Sequence, residues 1–96
     1  MLIKAGVDIS RLERTTRRSL NILERAWKFH KEELVITSTY EGTHGAGSLH
    51  YANQAYDVRY PTDDHDFWEV LVKQYLVHNF DIVAESNHLH IEYDPH

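Results

Sequence analysis

"SLHYANQAYDVRY", Ser48 to Tyr60, sets His50 and Asp57 seven residues apart in a chain without cysteine. Its second half, Ala55 to Tyr60, reads as a strand, and Pro61 ends it because proline has no amide to give to a sheet ladder. Fully extended, that spacing would hold the two side chains more than about 20 Å apart. Both can meet one ion only if the chain reverses between them. Asn53 stands where the reversal is needed, and asparagine is the non-glycine residue best suited to positive φ.

On the N-terminal side, Leu34 to Tyr40 is β-branched and aromatic and reads as the preceding strand, followed by a glycine-bearing loop from Glu41 to Ser48. Before it, Ser10-Arg11-Leu12-Glu13 has the form of a capping box. Leu12, Thr16, Leu20, Leu23, Trp27 and His30 then recur at helical steps, predicting a helix from that box to about Lys31. On the C-terminal side, Thr62, Asp63 and Asp64 are cap candidates for a second helix with an apolar stripe of Phe67, Val70, Leu71, Tyr75 and Leu76. Asp81 to Glu85 and His88 to Tyr93 read as two strands joined around Ser86-Asn87. The order helix, strand, strand, helix, strand, strand implies an α+β fold, with two helices against one face of a small, mainly antiparallel sheet.

At 96 residues, residues 1–96 read as a single domain with one core. With no cysteine, a disulfide framework is excluded and any metal must take nitrogen and oxygen ligands. No apolar run approaches the roughly 20 residues of a membrane span, and the first residues do not have the form of a signal peptide. This implies cytoplasmic synthesis. The net charge is −5, yet eight of the ten basic residues precede Glu32, including Arg11, Arg14, Arg17, Arg18 and Arg25. That asymmetry suits an anionic polymer such as cell wall or nucleic acid. Because the arginines are spread along the segment, a solvated helix face is the simpler reading.

There are eight histidines, six of them outside the N-terminal helical segment and the final residue. His88 and His90, two apart on a strand, share a face. His50 and Asp57 can add one nitrogen and one oxygen donor, and three such protein ligands plus an open position are the composition of a catalytic zinc site. Glu92 has the parity of His90 and suits the role of orienting a ligand from behind. His30, His65, His78 and His96 read as surface or helix-end residues, and Trp27 and Trp68 as core.

The stretch Ser48-Leu49-His50-Tyr51-Ala52-Asn53-Gln54-Ala55-Tyr56-Asp57 resembles the Ser-x-His-x-x-Gly-x-Ala-x-Asp motif of the zinc D-Ala-D-Ala carboxypeptidases and phage endolysin peptidases, which share their fold with the Hedgehog signalling domain. Glu85-Ser86-Asn87-His88-Leu89-His90 is similar to that family's acid followed by His-x-His. The resemblance spans about Leu34 to Asp94. It implies zinc held by His50, Asp57 and His90, with His88, Asn87 and Ser48 close behind the ligands. It also implies His44 beside a tetrahedral intermediate and Glu85 as general base. Asn87 stands where many members carry an acid, and an amide cannot take a proton from water, which is why the role falls to Glu85.

In a continuous regular strand Glu85 and His90 would face opposite sides, so a bend or bulge near Asn87 is required. Thr39-Tyr40-Glu41 replaces the arginine that many carboxypeptidases carry after the first strand. The implied activity is hydrolysis of amide bonds in peptidoglycan stem peptides, of the carboxypeptidase or endopeptidase type, by a phage or bacterial lysis or remodelling enzyme. The alternative is a metal-stabilised binding domain with the same fold and little activity. Nucleic-acid binding through the arginine-bearing helix ranks below both.

Overall fold

In a computed structural model, which describes residues 1–39 and 54–94, the elements are β1 (Leu2–Ile3), α1 (Arg14–Phe29), β2 (Val35–Thr39), β3 (Ala55–Arg59), α2 (His65–Tyr75), β4 (Phe80–Ala84) and β5 (His88–Tyr93). The five strands form one sheet in the order β1-β2-β3-β5-β4. Only the β1–β2 pairing is parallel, with Leu2 opposite Val35. The fold is therefore α+β, with two helices and a mostly antiparallel mixed sheet. The glycine-bearing loop and the positions of His44, Ser48, His50 and Asn53 lie outside the described residues.

The period-two alternation of the strands divides the sheet into two chemically different faces. Val58 pairs with Leu89 and Tyr56 with Ile91, and all four side chains are buried. Asp57 pairs with His90, and Arg59 with His88, on the opposite face. Both helices cover the apolar face. α1 contributes Leu20, Leu23, Ala26 and Trp27, while α2 contributes Trp68, Leu71 and Val72. The helices meet where the Trp27 and Trp68 rings approach to 4.9 Å. Across the layers, Tyr56 and Ser19 share a buried hydroxyl hydrogen bond of 2.6 Å.

Two expectations are corrected, and one strand, β1, is added. The first helix begins at Arg14 rather than at the Ser10 box: Glu13 is the N-cap, and its carboxylate accepts from the amides of Thr15 and Thr16 at 2.9 and 3.3 Å. Ser10 instead turns back, its amide and hydroxyl donating to Asp8. The helix stops at Phe29 because Lys31 adopts a positive φ of 61°. In α2, Trp68, Leu71, Val72 and Leu76 face inward, whereas Phe67, Val70 and Tyr75 are exposed. Two overlapping apolar stripes compete on this helix, and the packing of the large Trp68 ring against Trp27 decides which is buried. β1, only two residues long, carries too little pattern to be recognised in isolation.

Candidate metal centre

β3 and β5 bring the chemistry together on the open face of the sheet. Their register sets Asp57 opposite His90, and the period of two adds His88 on the same side. A register shift between β2 and β3 falls beside Asp57: Ile36 pairs with Val58 but Ser38 with Asp57, leaving Thr37 bulged. A bulge of this kind bends the strand locally and re-aims neighbouring side chains. The Thr37 hydroxyl lies 3.5 Å from the Asp57 carbonyl oxygen.

Asp57 is only 6% exposed. Its Oδ1 lies 2.9 Å from His90 Nδ1, and its Oδ2 lies 3.5 Å from His88 Nε2. The other nitrogen of His90, Nε2, is 3.2 Å from Glu92 Oε1. A carboxylate against each nitrogen favours the protonated form of an imidazole, which can donate to both. The hydrogen bond to Asp57 raises the His90 pKa above the ordinary histidine value; partial burial opposes the rise and Glu92 adds to it. His88 is oriented differently. Its Nδ1 donates to Asn87 Oδ1 at 2.6 Å, which turns Nε2 toward Asp57.

The donor chemistry fits zinc: one carboxylate and two imidazoles, with Glu92 as the carboxylate that fixes a ligating ring from behind. Two ligands on one tetrahedral zinc, each bonded at about 2.1 Å, stand about 3.4 Å apart. The Asp57–His88 separation of 3.5 Å is close to that span, and the Asp57–His90 contact of 2.9 Å would have to open by about half an ångström to reach it. Among the described residues, no group of three or more His, Cys, Asp or Glu side chains is arranged to hold a metal ion. A complete site therefore needs a donor from elsewhere, the role expected of His50, which lies outside the described residues together with His44 and Ser48.

Glu85 occupies the first position after β4, is exposed, and donates its amide to the His88 carbonyl at 2.9 Å across a two-residue turn. The Tyr60 hydroxyl donates to its carbonyl oxygen at 2.9 Å. The chain reverses between Glu85 and His88, so strand register governs their relation and counting parity from Glu85 to His90 does not apply. No bulge is needed to bring Glu85 to the His88 end of the face.

Beside His88 lies a cleft of about 500 Å³ lined by Lys4, Thr37, Arg59, Asn87 and His88. Sequence reasoning gave Lys4 and Arg59 no role. Arg59, two positions after Asp57 on the same strand, carried a legible signal; Lys4 carried none, because it arrives through the unanticipated β1. Together they make the cleft cationic and suited to an anionic part of a ligand. No protein-family model matches the chain, and no curated protein is significantly similar to it.

Proposed function

We propose that this protein is a zinc-dependent peptidase of the Hedgehog and D-Ala-D-Ala peptidase type, acting on amide bonds in peptidoglycan stem peptides. The observation that carries the reading is a buried carboxylate, Asp57, in contact with His90 and His88 on the helix-free face of the sheet. A buried carboxylate is costly without compensating charge, which His90 supplies when protonated and a metal cation shared with the imidazoles would supply in its place. His50, Asp57 and His90 would hold the metal. Glu92, at 3.2 Å from His90 Nε2, fixes the ring, and Asn87 fixes that of His88.

Zinc, when bound, supplies Lewis acidity toward the scissile carbonyl and makes water acidic near neutral pH. Glu85 takes the proton of the attacking water and returns it to the leaving amine. It stands exposed and accessible at the end of the hairpin. His44 donates a hydrogen bond to the developing oxyanion. Lys4 and Arg59 attract a carboxylate of the stem peptide into the adjoining cleft.

The test is release of new amino groups from purified peptidoglycan. Chelator and Glu85→Gln should each abolish release while the circular dichroism spectrum of the Glu85→Gln protein is retained. The alternative, a catalytically weak metal-stabilised binding domain, rests on Asn87, whose amide is committed to His88 at 2.6 Å and offers no base. That reading expects peptidoglycan or peptide binding without release, unchanged by Glu85→Gln.

A further inference from the structure

In the amino-acid sequence the basic residues of α1 look scattered, but winding at about 100° per residue gathers them. Arg14, Arg17, Arg18, Arg25 and Lys28 all fall within an arc of about 100°, with Asn21 near its centre. The stripe runs about 21 Å along the helix axis. All five side chains are exposed. The buried residues of α1, Thr16, Ser19, Leu20, Leu23, Ala26 and Trp27, occupy the opposite side.

Two further observations separate this stripe from an ordinary solvated face. Lys28 is 3.9 Å from Glu24, but no ion pair engages Arg14, Arg17, Arg18 or Arg25 among the described residues. Glu24 itself is drawn to the α-amino group of Met1 at 2.7 Å. Arg14, Arg17 and Arg18 also lie toward the positive end of the helix dipole, where the first turn carries no acidic residue and the carboxylate of the N-cap Glu13 is taken up by the amides of Thr15 and Thr16. Cations at that end are disfavoured, and a bound anion adds to the relief that Glu13 gives. The same three arginines line a cavity of about 430 Å³ with Met1, Ile9 and Asn21.

We infer that this face of α1 binds an anionic phosphodiester polymer. Four of the five cations are arginine, whose planar fork matches phosphate oxygens in pairs. No aromatic side chain lies within the arc of the stripe, and the exposed Phe29 at its C-terminal edge is a single ring packed edge-on against His30, so the stripe reads chiefly backbone charge. The choice of a poly(glycerol phosphate)-type wall polymer over a nucleic acid rests on the peptidoglycan reading above. Ser19 of α1 bonds Tyr56 on the helix-covered face, and Asp57, the next residue, belongs to the other. A polymer held on α1 therefore leaves the Asp57 face open to substrate, so the stripe concentrates the protein on the wall without blocking the site.

The experiment uses the whole chain and fluorescently labelled poly(glycerol phosphate), with anisotropy read in the presence of chelator. If the four arginines each neutralise one phosphate, log Kd against log salt has a slope of about 2.8, and affinity falls about fiftyfold between about 50 and 200 mM salt. The combined substitution Arg14→Gln, Arg18→Gln and Arg25→Gln keeps good helix formers at exposed positions. It should bind far more weakly and lose only about threefold over the same salt range. Wild-type binding that ignores salt, or binding unchanged by the triple substitution, overturns the inference. Duplex DNA of equal phosphate number bound tenfold tighter overturns the choice of a wall polymer. Because no turnover is read, a failure of the peptidase reading leaves this result standing. A protein that releases amines from peptidoglycan yet ignores the polymer overturns this inference alone.

Discussion

Asp57 makes contact with two imidazoles that are not equivalent. His90 is backed by Glu92 and His88 by the neutral amide of Asn87, so the carboxylate behind His90 makes it the better candidate ligand. We expect His90→Ala to abolish measurable zinc binding by calorimetry and His88→Ala to weaken it about tenfold, the range typical of a supporting residue. The reverse ranking would make His88 the ligand, in keeping with its 3.5 Å spacing from Asp57. Without metal, the raised His90 pKa links stability to pH. A folded-state pKa above the unfolded value of 6.5 stabilises the fold fully below that value, and the contribution is lost as pH climbs through the folded pKa. Chelator-treated protein should therefore melt at lower temperature as pH rises above about 6.5, and Asp57→Ala should flatten that part of the profile. At this scale the amino-acid sequence was informative about His88, His90 and Glu92, since a strand period of two suffices to align them, whereas Asp57 lies on another strand and only the β3–β5 register sets it opposite His90. It was uninformative about Glu85, because a turn resets register in a way that counting cannot follow.

Helix α1 illustrates how a correct element can carry a wrong boundary. Ser10 and Glu13 have the spacing of a capping box, but Ser10 is already engaged with Asp8, and Glu13 satisfies the first free amides alone. Glu13→Ala should cost about 1 kcal/mol, lowering the melting temperature by about 4–8 °C. Ser10→Ala, exposed and outside the helix, should stay within about 0.5 kcal/mol. Equal effects in thermal melts would restore the box. The period of α1 was legible because one stripe is apolar and the other charged. In α2 both Phe67-Val70-Leu71 and Trp68-Leu71-Val72 are apolar, so periodicity alone admits two orientations, and only packing against Trp27 selects one. β1 was invisible for a different reason: a two-residue strand gains its identity from Leu2 and Ile3 pairing with Val35 and Ile36 in β2, a partner more than thirty residues away.

Over the whole molecule, the sheet joins the ends of the proposed site. β3 lies between β2 and β5, so the ladder sets Asp57 opposite His90, and in the proposed site His50 would complete the donor set. Zinc binding there should couple to folding, because the unfolded chain holds no such donor set together. At free zinc about a hundredfold above Kd the linkage is about 2.7 kcal/mol. For a chain of this size that corresponds to a rise in melting temperature of about 11–22 °C, reversed by chelator. His50→Ala and Asp57→Ala should each erase the rise while leaving the metal-free protein folded for His50→Ala and destabilised for Asp57→Ala, whose carboxylate is buried against two imidazoles. A wild-type-sized rise in His50→Ala would assign the missing donor to another residue. No rise in the wild type would leave Asp57, His90 and Glu92 as a structural charge network and remove the basis for peptidase chemistry.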